Sequence, residues 1–224
     1  MILAERFQNA AVAAFISAGF CIPIVVLELV FSSSSSITAV LDLATAGMTI
    51  FLLRRFRAAL ETPLIPKGMR VDRTSSRVTW MIWAEAITAL LSLRGISAGR
   101  TTLEAIGVLE DLARLGGGVA MVMLGVELIK AESLPLRRLR TFGILQFPLG
   151  ATQIFGGLAG FLPDRSRTSE GDAGLVFALL FILALAVLYL VSQVFLGLIF
   201  LDVAQGLRDA KAAPADPPNG QGQA

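Results

Sequence analysis

A small set of ionisable side chains stands inside or at the edges of long apolar runs, and chemistry in this chain would have to reside there: Glu28, Asp42, Glu85, Glu104, Glu110, Asp111 and Arg114. A charge at the centre of a membrane-spanning helix costs about 2.5 to 3.5 kcal/mol on insertion scales, so each such residue needs a partner or a task. Arg114 follows Glu110 by four residues and Asp111 by three, which puts the three on one helical face within pairing reach. One reading makes Glu28, Asp42, Glu85, Glu110, Asp111 and Arg114 a polar pocket that attracts a proton, a cation or a small cationic solute. The other is structural: acidic groups favour the first turn of a helix on dipole grounds, and Glu110, Asp111 and Arg114 neutralise one another. Glu85 differs from the rest. It lies roughly 7.5 Å beyond Trp80 on a helix rising ~1.5 Å per residue, where it is either protonated or paired across helices with Arg114 or Gln146.

Other chemistries lack their residues. Histidine is absent and Cys21 is the sole cysteine, which removes the usual general base, the commonest metal ligand and any internal disulfide. There is no phosphate-binding glycine loop, metal-ligand spacing or nucleophile elbow. Ser17, Ser92 and Ser192 stand alone in apolar surroundings. No cofactor, metal or catalytic residue is therefore expected, and a lipid-acting enzyme would have to work with carboxylates or arginines alone.

A second constellation suits packing. Gln146, Gly150, Gln153, Gly157 and Gly160 recur at steps of four, three, four and three, forming one stripe down a helix. Small residues let helix backbones approach and amides hydrogen-bond across them, so the stripe is a candidate packing face, internal or against a partner. Gly156 with Gly160, the run Gly116, Gly117 and Gly118, and the face Ala10, Ala14 and Ala18 speak the same way, and Pro23 should bend its helix.

The elements that position these residues follow from composition. Apolar residues make up 55% of the 224 and charged residues only 16%, well under the roughly 25% of a soluble domain. Gly174 to Leu201 carries no charge at all, longer than the roughly 20 residues that cross a bilayer core. Six spans are expected: 10–31, 37–53, 78–93, 105–129, 142–162 and 174–201. The fold class is all-α, a polytopic bundle of three hairpins covering residues 1–211. The third segment is the weakest, and four spans with a re-entrant or interfacial middle pair is the alternative. The first segment is read as a retained span, because no small-residue cleavage pattern closes it.

Basic residues set the expected orientation. Arg54, Arg55, Arg57, Lys67, Arg70, Arg73 and Arg77 fill the second linker, Lys130, Arg137, Arg138 and Arg140 the fourth, with Arg6, Arg208 and Lys211 at the termini. The opposite face has only Arg94, Arg100, Arg165 and Arg167. Both termini are thus expected on the cytoplasmic side, in a bacterial inner membrane. Residues 62–77 should form a basic strap facing anionic lipid headgroups, Ser32 to Ser36 an outer turn, and residues 212–224 a disordered tail. The net charge of +2, without clustering on a nucleic-acid footprint, excludes nucleic acid as a partner; lipids, a second copy or a membrane protein remain. Asp42 to Gly47 echoes Asp111 to Gly116, and either chance or a parallel hairpin repeat accounts for it.

The function expected is binding or transport of an ion or small solute through the carboxylate pocket. The competing expectation is an accessory or assembly subunit that packs through the Gln/Gly stripe. A transporter should hold its carboxylates against a water-filled cavity, whereas a subunit should carry the stripe on its outside.

Overall fold

The computed structural model describes residues 2–30, 35–64, 71–95, 100–130, 137–161 and 172–212. Within them the chain is all-helical: α1 (Ile2–Val30), α2 (Ser35–Leu60), α3 (Val71–Gly95), α4 (Arg100–Lys130), α5 (Arg137–Gly160) and α6 (Asp172–Ala212). Each expected segment contains a helix, and every helix begins before its apolar run. The helices continue because backbone hydrogen bonding does not end where hydropathy does; Arg, Asp, Ala and Gln in the flanks are tolerated in a helix once one is nucleated. The expected strap at 62–77 is accordingly shorter, since Val71 to Arg77 already belongs to α3, whose first turn holds Asp72. The expected outer turn also narrows, because α2 begins at Ser35. Residues 213–224 and the strap's Lys67 and Arg70 lie outside the described residues.

Among the described residues, three helices are long and apolar enough to cross a membrane: Ile2–Ile24 within α1, Ala105–Lys130 within α4, and Leu180–Ala212 within α6. The helices close a ring in chain order, each against the next, with α6 returning to α1. The closest pairs are not the expected hairpins. α5 packs most extensively on α4, and α1 on α6, whereas α1 with α2 and α5 with α6 make lesser contacts.

Small residues explain both close pairs. On α4 and α5 the backbones approach so nearly that a Cβ built on Gly118 would lie 2.7 Å from the Gly150 carbonyl oxygen, one on Gly125 would lie 2.7 Å from that of Gly143, and one on Gly157 would lie 2.7 Å from that of Asp111. The contacts step by seven residues up one helix and seven down the other, so the pair is antiparallel with the heptad spacing of left-handed coiling. α1 presents Ala4, Ala10, Ala11, Ala14, Ala18 and Cys21 as a buried small-residue face. Against α6, Phe7 stacks on Phe200 with ring centroids 6.2 Å apart, and the Cys21 thiol donates to the Ala186 carbonyl at 3.4 Å. These two contacts fix an antiparallel register along most of α1.

Both terminal helix ends therefore lie at one end of the bundle. There Arg138 at the start of α5 pairs with Asp202 of α6 at 2.6 Å, and Leu64 beyond α2 reaches Gly206 of α6. The main core occupies this half: Phe7, Leu52, Phe56, Leu60, Val78, Leu124, Leu128, Leu139, Ile199, Phe200 and Val203 are all fully buried.

Candidate functional site

Above that core, the ring encloses a chamber of about 230 Å³, lined from α2 by Thr45 and Thr49, from α3 by Met81 and Glu85, from α4 by Met121, from α5 by Gln146, Thr152 and Gln153, and from α6 by Tyr189, Ser192 and Gln193. α2, α5 and α6 turn polar residues inward at helical spacing: Thr45 and Thr49 are four apart, while Tyr189, Ser192 and Gln193 share one face of an otherwise apolar α6. Leu52, Leu53, Phe142 and Leu196 line the same chamber, and Phe56 meets Phe142 at 5.2 Å on the side of the termini.

Hydrogen bonds tie the lining across helices. Gln146 donates through Nε2 to the Ser192 hydroxyl at 3.1 Å, joining α5 to α6. The Tyr189 hydroxyl meets that of Thr49 at 3.4 Å, joining α6 to α2. Ser192 is thus a partnered side chain, not the isolated one the sequence suggested. The exception is Gln193, 93% buried by its 7% exposure, whose Oε1 has no hydrogen-bond partner. A buried acceptor left without a donor costs about 1 to 3 kcal/mol, and native structures keep few of them.

A second cavity of about 220 Å³ adjoins the first, bounded by α3, α4 and α5 and lined by Ala84, Glu85, Thr88, Ala113, Arg114, Gly117 and Gln153. Glu85 and Gln153 line both cavities and so stand at their junction. Arg114 pairs with Glu110 four residues earlier at 2.5 Å, within α4 itself. Asp42 is exposed and Asp111 partly buried; the part Asp111 plays in packing is its main-chain carbonyl, against Gly157. The side chains of Glu28 and Glu104 lie outside the described residues, although their backbones are helical. Among the described residues no group of three acidic, histidine or cysteine side chains could hold a metal ion.

The Gln/Gly stripe divides between two duties. Gly150 and Gly157 are buried against α4, whereas Gln146 and Gln153 turn into the chamber. Gly156, paired with Gly160 in the sequence reading, meets nothing within 4 Å; the side of Gly160 lies outside the described residues. Sequence reasoning did not single out Thr45, Thr49, Tyr189 or Gln193. Their signal was present as i, i+3 and i, i+4 polar spacing inside apolar runs. The chain matches no family model, no curated protein and no solved structure.

Proposed function

We propose that this protein binds a small polar or cationic solute inside the bundle and passes it across a bacterial inner membrane, without catalysing a reaction on it. The observation that carries the reading is the chamber: carboxamides, hydroxyls and one carboxylate from four helices face a common cavity in a bundle whose outer surface is apolar. Polar groups placed at membrane depth are expensive, and packing alone would be served more cheaply by leucine. The unpartnered Gln193 acceptor has the form of a contact awaiting a donor.

Electrostatics favour a cation. Glu85 lines both the chamber and the cavity that adjoins it, and Arg114 of that cavity is already paired with Glu110, so a cationic solute meets a carboxylate beside an engaged arginine. With no metal-holding cluster among the described residues, a cation carrying N–H donors suits the amides and hydroxyls better than a metal ion does. Glu85 then receives the charge, and Gln146, Gln153 and Gln193 read the N–H groups. On the orientation that the basic residues favour, with the termini cytoplasmic, the Arg114 cavity faces outward. The accessory-subunit reading needs the Gln/Gly stripe on the outer surface, but Gln146, Gly150 and Gly157 are buried.

The test is flux into proteoliposomes, with methylammonium, sodium, a small polyol and acetate as the panel. Methylammonium flux at least tenfold over protein-free vesicles, reduced tenfold or more by Glu85→Gln, is the expected outcome. No flux and no ligand-dependent stabilisation for any member of the panel would overturn it.

A further inference from the structure

On the outside of the ring, away from the chamber, α2 and α3 bound a groove of about 490 Å³ lined by Ile50, Arg54, Arg57, Ala58, Glu61, Thr79, Ile82, Trp83 and Ala86. Two contacts fix its register. Arg57 donates through Nη1 to the Thr79 hydroxyl at 3.0 Å, and Ser75 donates to Glu61 Oε1 at 2.9 Å. Four residues forward on α2 therefore match four residues back on α3, and the same antiparallel register sets Arg54 beside Ile82 and Trp83, and Ile50 beside Ala86.

Polarity is graded along this groove. Glu61, Arg57, Thr79 and Arg54 form the end nearest the termini; Trp83, Ile82, Ala86 and Ile50 form the deeper end. From Arg57 to Ile50 is roughly 10 Å at ~1.5 Å per residue, about the distance from a phospholipid's phosphate to the start of its chains. Trp80 and Trp83 are 65% and 61% exposed at that depth, where aromatic rings sit at a membrane interface. The opposite faces of the two helices, Leu52, Leu53 and Phe56 with Val78 and Met81, are the ones that enter the core. Among the described residues, no other helix supplies a residue to the groove.

We infer that this groove is a binding site for an anionic phospholipid of the leaflet on the side of the termini, a role separate from the chamber's and resting only on the protein being embedded in a bilayer. The headgroup phosphate lies between Arg54 and Arg57, and an acyl chain runs along Trp83, Ile82, Ala86 and Ile50. Arginine is suited to phosphate by its fork of donors, and Arg57 is already oriented by Glu61 at 3.0 Å and by Thr79. Glu61 accepts from both Arg57 and Ser75, so its carboxylate is engaged and offers little to the ammonium of a zwitterionic headgroup. Two arginines against one engaged carboxylate leave a net positive charge, complementary to a headgroup carrying one uncompensated negative charge.

The sequence supplies a direct probe, because it has only two tryptophans. In a Trp80→Phe background, Trp83 fluorescence is followed in vesicles containing brominated acyl chains, either on phosphatidylglycerol or on phosphatidylcholine at equal mole fraction. Quenching should be at least twofold stronger with the brominated anionic lipid, and Arg54→Gln should reduce it to the phosphatidylcholine level while leaving the thermal midpoint in lipid-free detergent unchanged. Native mass spectrometry should show phosphatidylglycerol retained at least fivefold over phosphatidylcholine and phosphatidylethanolamine, with the excess lost in Arg54→Gln. Equal quenching by both lipids, equal retention, or an Arg54→Gln variant that behaves as wild type would overturn the site. Protection by millimolar inorganic phosphate alone would reassign it to a soluble anion, and a dimer disrupted by Arg54→Gln would reassign it to a second copy.

Discussion

The two ends of the bundle are built differently. Toward the termini, aromatic and branched side chains from all six helices interlock, with Phe7 on Phe200 and Phe56 against Phe142. Toward the other end, the buried hydrophobic residues are mostly small: Ala18, Cys21, Ala46, Ala89 and Ala186, with Ile106 the larger exception among the described residues. There the tight associations are pairwise, α1 with α6 through alanine and α4 with α5 through glycine, while Leu90, Phe155 and Leu180 face outward. Apolar side chains facing lipid carry no penalty, so such an end can stay loosely joined without exposing hydrophobic surface to water. On the proposed function, the difference separates stability from activity: one half holds the ring shut, and the other leaves room for the chamber.

The largest expected effect tests that separation directly. Phe200→Ala, in the interlocked half, should destabilise the protein by about 3 to 5 kcal/mol, the usual loss for a fully buried phenylalanine. Phe155→Ala, 71% exposed in the open half, should cost less than about 0.5 kcal/mol. Thermal unfolding of both variants in the same detergent decides it. Equal losses would mean that the open half is as tightly joined as the other.

The α4/α5 pair crosses both halves, and it should show the next effect. Gly150→Ala drives a methyl group toward the Gly118 carbonyl and Val122, where the backbone cannot turn aside as a side-chain tip can. Overpacking of this kind costs about 1 to 3 kcal/mol. Gly156→Ala, six residues along the same helix with nothing near it, should be neutral or slightly stabilising, since alanine has the better helix propensity. A matched pair of thermal midpoints separates close approach from glycine content alone.

These contrasts also bear on what could be read in advance. The helices were legible because apolar length is a one-dimensional property, as Gly174 to Leu201 illustrates. Which helices pair was not, because hydropathy does not say which face of a helix meets which neighbour. The heptad of Gly143, Gly150 and Gly157 was overlaid by the four-three stripe, and only the partner glycines at 118 and 125 distinguish the two. Charged residues drew attention to Glu85, Glu110 and Arg114; Arg114 pairs with Glu110, and Glu85 and Arg114 line one cavity. Thr45, Thr49, Tyr189 and Gln193 were harder to read, because polar spacing inside an apolar run does not say that α2, α5 and α6 turn those faces to one cavity. Tyr189, whose hydroxyl partner Thr49 lies 140 residues away on α2, is the plainest example.

Within the chamber, stability and solute binding should respond unequally. Ser192→Ala removes the acceptor for the buried Gln146 amide, a loss of about 0.5 to 1.5 kcal/mol. On the proposed function, solute flux should fall much further than that small loss of folded protein accounts for, since Gln146 would no longer be held in place. Flux measured per folded molecule, using the fraction folded from the same preparation, separates the effects. A fall in flux proportional to the loss of folded protein would assign Ser192 to the scaffold alone.

The smallest expected effect belongs to the interlocked end and depends on pH. Hydrogen bonds from Arg57 and then Ser75 hold the Glu61 carboxyl below its ordinary value of 4.5, with burial opposing them. A carboxylate whose folded pKa is depressed contributes stability above its unfolded value and loses it as pH falls through the folded one. The contribution should therefore be complete at pH 6 and decline below about 4.5. Glu61 is half exposed, so solvent screening keeps the effect small. Comparing wild type with Glu61→Gln removes the contributions of other acids, and the difference between their thermal midpoints should narrow steadily from pH 6 to pH 3.5. A difference independent of pH would mean that the Arg57 and Ser75 hydrogen bonds serve Gln as well as Glu, and that the α2/α3 junction is held by geometry and not by charge.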